Sequence, residues 1–533
     1  MQAGFEHAGH SVGAWTAQKP HLVGASLAAF AAAVLPGLTT RSSASTAFGQ
    51  RKAFEAFNKS SVQIRRRNSV HVRAMAPTTS TKPSTPAQLT GPIEEPPSAG
   101  RLGLGFLLNG PKFTKEALQK YGHVWKLSIL GLSTVYGIGG NEGLRLFYDE
   151  RNVKRFPAAS STLKAAAWQL NESFAIPPLD GDQWRRRKLH MMATATSKEQ
   201  AQAYLQALDG AFVDAIASLG KDGQEFSMWD ALNRAVLGGL SGQILGYSLQ
   251  DYAASSGQSM DKLVAAIREN FTVFGTSPIA TKQTAAFKLL LEYLRVALAK
   301  TRADPAAYAG TGLSNYLASP EAQRLMDDEI LLDMHQMLAV GAYGICTQGA
   351  ALLFSLAKNP QVRKRIAEEG APLATETASF GNLRALPYTF AVVKEALRYW
   401  PAVHVVAGQT QREIIHENKR IPAQASILAL LYGTTHDARV FKNPEMFDPE
   451  RFLPPRNEGP DETWEGWMVA FGAGDSSQGH ACAGKHVAIS FLLLIALRFS
   501  QGWAWQLTDA DERMLDDRIG PVPSKGLTMR RNP

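Results

Sequence analysis

The sequence predicts a mainly α-helical fold with small β-sheets, gathered into one large domain. Apolar residues recur at i, i+3 and i+4 over 142–150, 184–194, 198–219, 228–246, 258–274, 281–301, 328–357 and 484–499, the period of helices with one buried face. Strand-like runs are few and short, at 123–129, 133–138, 426–431 and 503–507. From Leu102 onward no Pro/Gly/Ser-rich break, repeat or low-complexity tract divides the chain, so 533 residues do not split as a length prior alone would suggest.

The 45% apolar fraction excludes a disordered chain, and two cysteines exclude a disulfide scaffold. A net charge of +9 would suit a nucleic-acid binder, but its distribution argues against one. Residues 1–92 hold ten Lys/Arg against Glu6 and Glu55, so eight of the nine net charges belong to that segment. No nucleic-acid partner is expected. The segment is rich in Ala, Ser, Thr and Arg, runs to Arg65-Arg66-Arg67, and has the composition of an organelle transit peptide over 1–76. Its Ser/Thr content points to the chloroplast, with the mitochondrion as the alternative. The competing reading is a membrane anchor at Leu22–Leu38, which is uncharged but shorter than the ~20 residues a span needs and broken at Pro36-Gly37. Residues 77–100, rich in Pro, Ser and Thr, read as a linker, which leaves 101–533 as the folded domain.

Cys346 and Cys482 are the only thiols, and their wide separation fits a reducing compartment. Cys482 lies in a Gly-rich run from Phe471 to Lys485, just ahead of an apolar helix. A thiolate is stabilised at a helix N-terminus by the dipole and free N–H groups, and glycines let the backbone approach a flat ligand. An inert buried cysteine is the bland alternative. Zinc at His480, Cys482 and His486 lacks the four N/S ligands of a structural site. Gly137–Gly143 has the look of a dinucleotide loop, but Glu142 stands where a glycine is required and no βαβ unit follows. Glu395 and Arg398 share one helix face at i, i+3, and Arg451 of Pro449-Glu450-Arg451-Phe452 could join them.

In this order, Glu395-x-x-Arg398, the Pro449–Phe452 tetrad and the cysteine loop resemble the cytochrome P-450 superfamily. The resemblance covers about 100–533. It implies a helical lobe plus a minor β lobe around a buried haem b, whose iron takes the Cys482 thiolate as its axial ligand. It further implies Trp184 and Lys188 as propionate contacts, with Phe471, Gly474, His480 and Gly484 completing the haem shell. Residues 328–357 would form the long helix that crosses the haem, and Glu395, Arg398 and Arg451 would lock the fold behind it. The stretch after Pro401 lacks the Arg that often pairs a propionate; Gln409 stands nearby, and His480 could take over that contact.

Three departures from the common pattern bear on chemistry. Gly474 and Cys482 are eight residues apart instead of four, which resembles the fatty-acid peroxygenases, users of hydrogen peroxide. Phe147-Tyr148-Asp149, Tyr432–Asp437 and Pro521–Gly526 resemble the same branch, while Cys482-Ala483-Gly484-Lys485 is shared with allene oxide synthases and hydroperoxide lyases. Counted back from Pro360, the acid–Thr pair of O₂-activating members falls on Tyr343 and Gly344, with Thr347 the candidate hydroxyl under a shifted register. The peroxygenases' Arg-Pro falls on Val340-Gly341, and 337–349 contains no counterpart of the lyases' Asn.

Val340 and Gly341, with Phe174, Ile176 and Leu179 of the loop over the haem, are therefore expected to line an apolar pocket for a lipophilic small molecule. The expected function is a plastid haem-thiolate oxidoreductase acting on a lipid, fatty-acid derivative or lipid hydroperoxide, with a peroxide as oxidant. The alternative is an O₂-dependent monooxygenase of an isoprenoid or carotenoid, fed by ferredoxin and its reductase. A non-catalytic haem-binding protein is the third reading. A monomer with at most peripheral membrane contact is expected.

Overall fold

The computed structural model describes residue 92 and residues 94–532, except 100–103, 130–132, 156–168, 171–172, 178, 222, 277–283, 459–468, 474–478, 509–513, 518–519 and 524–525. The transit-peptide reading of 1–76 therefore lies outside the described residues, as does Gly474.

The elements that position the site are helices α1 (Leu104–Tyr121), α2 (Gly140–Tyr148), α3 (Gly181–Ala193), α4 (Lys198–Ser218), α5 (Met228–Leu245), α6 (Met260–Thr276) and α7 (Ala285–Ala303). They continue with α8 (Asp327–Lys358), α9 (Pro387–Tyr399), α10 (Leu431–Thr435) and α11 (Lys485–Gln501). The main sheet comprises β1 (Val124–Ile129), β2 (Ser133–Ile138), β3 (Val153–Lys154), β4 (Val405–Thr410) and β5 (Ser426–Leu430), in the spatial order β1-β2-β5-β4-β3. Only the β2–β5 pair is parallel in that sheet.

Local chemistry sets the helix ends. The hydroxyls of Ser197, Ser227 and Thr284 accept the N–H groups of Gln200, Asp230 and Phe287, capping α4, α5 and α7. Gly246, at φ +74°, ends α5 in the left-handed region. Pro387 opens α9, where its missing N–H costs nothing. In α11 every residue from Phe491 to Leu497 is apolar and buried, and the helix packs against α8 and α9. Helix α8 also packs on α5 and is apolar enough to cross a membrane, but 78% of its most apolar window is buried inside the protein. It is a core helix.

The predicted helices are present, with ends displaced by a few residues, as at 258–274 against Met260–Thr276. Helix α1 was hidden because Asn109-Gly110-Pro111 reads as a turn, yet all three residues lie inside it. Strand β4 was hidden by Gly408, an unusual residue for a strand interior. A Cβ there would come within 2.4 Å of Val153 Cγ1, so the glycine is what allows β3 to pair with β4. The linker reading of 77–100 needs correcting at its C-terminal end. Glu94 exchanges backbone hydrogen bonds with Asn418 and Arg420, and Pro97 and Ala99 bond to Lys126, so this stretch is docked against the β-structure. Its Pro and Ser content disguised an extended segment whose N–H and C=O groups are paired.

Candidate active site

The cysteine is held in place by a closed loop. Phe471 ends a short helical turn, and its carbonyl accepts the Cys482 N–H at 2.8 Å. Gly472 between them has φ +85°, and a Cβ there would sit 2.7 Å from the Tyr148 ring. Gly484 caps α11, and its backbone N–H bonds to the Cys482 thiol. Lys188 on α3 donates to the carbonyls of Gly479 and Ala481, both at 2.6 Å, with its ammonium 4.8 Å from the Trp184 ring centre. Trp184 in turn packs on the His480 ring at 4.4 Å, and His480 Nε2 lies 3.1 Å from Asp180 Oδ1. Thus Trp184, Lys188, Phe471, His480 and Gly484 all converge on the cysteine loop. His480 is committed to Asp180, and burial, with the Arg155 and Lys188 charges, keeps its pKa below the usual value and the ring neutral.

Cys482 is exposed by surface area, yet burial is the largest influence on its thiol, pushing the pKa up against the Gly484 N–H, Lys188 and Lys485. Both hold for a side chain that opens on an internal cleft. A bound metal cation would reverse the balance, since coordination deprotonates a thiol outright. Cys346, by contrast, is fully buried, and desolvation raises the pKa of its thiol. It is core packing.

Helix α8 has an open face of its own. From Glu329 to Leu353 every residue is buried except Gln336, Val340, Gly341 and Gly344. These four lie in or just after a π-helical segment, Gln336–Ala342. Such segments are rare and cluster at functional sites, because the widened turn re-aims side chains. A Cβ on Gly344 or Gly484 would meet nothing within 4 Å, and one on Gly341 only the Gln336 carbonyl at 3.8 Å. The glycines border open space that a flat ligand could fill. Tyr343 instead packs edge-on against Trp229 of α5, with ring centres 5.8 Å apart. Thr347 is fully buried, and its hydroxyl donates to the Gly344 carbonyl at 2.9 Å. That bond is a helix back-bond, one turn beyond Gly344.

The residue the sequence did not reveal is Arg155. It is buried, its guanidinium 4.2 Å from the Phe147 ring and 4.8 Å from Tyr148, and Nη1 donates to the Ala407 carbonyl on β4. Asp180 accepts its backbone N–H, so one carboxylate orients both Arg155 and His480. Burial lowers the Arg155 pKa despite Tyr148 and Asp180, the mark of a cation short of anionic partners. Gln409, the sequence candidate for this place, reaches towards the Gln424 carbonyl instead. A basic pair beside Phe156-Pro157 carried no signal that one member would turn inward. These groups fit haem: a thiol at a helix N-terminus, a glycine-bordered cleft, and two buried cations, Arg155 and Lys188, for the propionates.

Behind the loop, Glu395 pairs with Arg398 at 2.7 and 2.8 Å and with Arg451 at 3.0 Å, all three side chains fully buried. Arg398 also donates to the carbonyls of Thr435 and Met446, and Arg451 to Glu458 and the Lys442 carbonyl. The cluster joins α9 to the segment that follows α10. On the other side, Ser173–Phe174 pairs with Gln169–Leu170, and this hairpin packs on the start of α8. Ile176 and Leu179 are buried in the main core cluster.

A cysteine presented by such a loop at a helix N-terminus, in a fold with a long core helix, defines the haem-thiolate class of proteins. The cytochrome P450 family profile matches residues 102–528, and the chain belongs to that family. It is 30% identical over 210 residues to cyclooctat-9-en-7-ol 5-monooxygenase of Streptomyces melanosporofaciens, a match covering 39% of this chain and 41% of that enzyme. Luvungin A synthase CYP716AC1 of Citrus sinensis is 23% identical over 441 residues, 79% of this chain and 87% of its own. Retinoic acid-bound cyanobacterial CYP120A1 superposes with a TM-score of 0.69 at 20% identity, covering 83% of this chain and 99% of its own. Cytochrome P450EX alpha (CYP152N1) with myristic acid gives 0.63 at 20% identity, covering 82% and 100%. At these identities the two structures establish the fold.

Proposed function

We propose that the protein is a plastid haem-thiolate oxidoreductase that oxidises a neutral lipophilic substrate with a peroxide as oxidant. The observation that carries this is the open face of α8. Gln336, Val340, Gly341 and Gly344 include no acid and no hydroxyl, so the helix has nothing there to relay protons to reduced O₂. A peroxide arrives already reduced and protonated. Bound haem supplies oxygen activation at an iron held by thiolate. Cys482 would ligate it, with the Gly484 N–H and Lys485 favouring the thiolate, while Arg155 and Lys188 would fix the propionate edge. Val340 and Gly341 present no cation to a free carboxylate, and a buried unpaired carboxylate costs several kcal/mol. The plastid address rests on the acid-poor, Ser/Thr- and Arg-rich segment 1–76.

A monooxygenase fed by ferredoxin is the second reading, favoured by the relative whose name gives it as a monooxygenase of cyclooctat-9-en-7-ol. Incubation of purified haem-loaded protein with plastid lipid extract separates the two. Hydrogen peroxide or a fatty-acid hydroperoxide alone should support turnover. Turnover only with ferredoxin, its reductase and O₂ would overturn the peroxide reading.

A further inference from the structure

The glycine-rich stretch Gly137–Gly143 is not among the residues that converge on the cysteine loop, and two of its members seat histidines. A Cβ on Gly140, at φ +71°, would come within 2.5 Å of the His123 ring, and one on Gly143 within 2.9 Å of His416 Nε2. The two rings lie nearly parallel, 9° apart, with centres separated by 5.9 Å. His123 precedes β1, and its carbonyl accepts the Gly139 N–H just past β2. His416 ends one strand of the hairpin that pairs Ile414–His416 with Lys419–Ile421, and Glu417 begins the turn.

Glu417 Oε1 lies 2.6 Å from His123 Nδ1, and one donor atom from each of His123, His416 and Glu417 falls within 4.8 Å of the others. Neighbouring donors in a tetrahedral zinc site, with bonds of about 2.0–2.1 Å, stand roughly 3.3 Å apart. Glu417 is exposed and both rings are only partly buried, so an ion can enter from the Glu417 side and the carboxylate can close on it. The Nε2–Cδ2 edge of His416 is turned to Gly143, and Nδ1 is the vertex of the imidazole opposite that edge. His123 Nε2 lies 2.8 Å from Asp437 Oδ2. A carboxylate on the far nitrogen is what orients a metal-bound imidazole and raises its basicity.

Cations answer these acids. Arg439 Nε donates to Asp437 at 2.9 Å, its Nη1 is 3.6 Å from Glu417, and Lys419 Nζ comes to the same side of Gly122 as the Glu417 carboxylate. With charge nearly balanced, the cluster has little pull on Mg²⁺ or Ca²⁺. Its attraction lies in two imidazoles and one carboxylate, a donor set that suits zinc and similar dications.

We infer that His123, His416 and Glu417 form a metal site separate from the haem, which binds one zinc-class divalent cation with water as the fourth ligand. The ion replaces the proton between His123 Nδ1 and Glu417 Oε1. It ties the start of β1 to the hairpin turn and, through Asp437, to the segment after α10, stretches about three hundred residues apart in sequence. Its role is to cross-link the β-structure.

The test is calorimetric titration of chelator-stripped, haem-loaded protein with ZnCl₂, the haem keeping Cys482 occupied. Saturable binding of one Zn²⁺ is expected at this site, and MgCl₂ at the same concentrations should give none. Asp437→Asn should weaken Zn²⁺ binding about 10- to 100-fold, and Glu417→Gln or His416→Gln, which remove a ligand outright, by about 100-fold or more. Zn²⁺ should raise the denaturation midpoint of the native chain and leave that of Glu417→Gln where it was. The ferrous–CO spectrum should be the same in every variant, with or without Zn²⁺, which keeps the result separate from haem binding. Zn²⁺ held equally well by the native protein, Glu417→Gln and His416→Gln would be bound elsewhere and overturns the site. Absence of saturable Zn²⁺ binding overturns it too, leaving His123 as a protonated bridge between two carboxylates.

Discussion

Arg155 and Glu395 stand at opposite ends of what a sequence can reveal about a single residue. Glu395 and Arg398 are legible because i, i+3 spacing fixes their proximity before any tertiary contact forms. Arg155 acquires its place only when β3 pairs with β4 and brings Ala407, 252 positions away, against its guanidinium. Its removal should have opposite effects on two measurements. A buried cation short of anions is a desolvation cost, so Arg155→Met should leave the haem-free fold as stable or more so. Losing a buried partner of a charged group costs about 2–5 kcal/mol, so the same variant should retain haem at least 30-fold more weakly. Chemical denaturation of haem-free protein and haem-transfer titration measure the two. Equal haem retention in the variant would remove Arg155 from the propionate edge.

At the scale of the element, α8 was legible as one long helix ending at Asn359-Pro360, but not as a helix with a π turn. Apolar periodicity over thirty residues averages out one widened turn, and of the residues that mark the open face only Val340 is hydrophobic, which makes it one more member of the apolar run. The two sides of the helix should therefore respond oppositely to one substitution. At Gly344 a methyl group meets nothing within 4 Å, so Gly344→Ala should gain about 0.5–1 kcal/mol of helix stability. At Gly349 a Cβ would stand 2.9 Å from Ile495 Cδ1 and 3.0 Å from Leu232 Cδ2, both in the core. Gly349→Ala should then cost about 1–3 kcal/mol by overpacking. Thermal melts of the haem-free variants read both signs. In the haem-loaded form Gly344→Ala should also weaken binding of bulky substrates, because the methyl enters the open face. A melting temperature lowered at Gly344 as much as at Gly349 would mean the two faces do not differ.

Over the whole molecule, the titration of buried histidines ties stability to pH. His335, His404 and His436 are buried, and desolvation is the largest cause lowering each pKa, to about 3 for His335, to about 4 for His404 and well below the usual value for His436. A group whose folded pKa is depressed contributes stability that is complete above its unfolded pKa, about 6.5, and is lost as pH falls below it. These three alone give a slope approaching about 4 kcal/mol per pH unit once the unfolded chain is protonated, and His190, His416 and His480, also lowered by burial, steepen it. His123 runs the other way. Burial lowers its pKa, but Asp437 and Glu417 outweigh that and hold it above 6.5, so its contribution is complete below 6.5 and is lost on the alkaline side. It offsets at most one of the three. Domains of this kind are stable by only about 5–15 kcal/mol, so acid unfolding should begin near pH 6 and finish above the carboxylate range. Denaturant midpoints measured from pH 8 to 5 give the protons taken up on unfolding. His404→Leu, which removes a ring whose Nδ1 has no partner among the described residues, should reduce that uptake by about one. Stability that stays level down to pH 5 would show that these rings are reached by water and charge without cost in the folded protein.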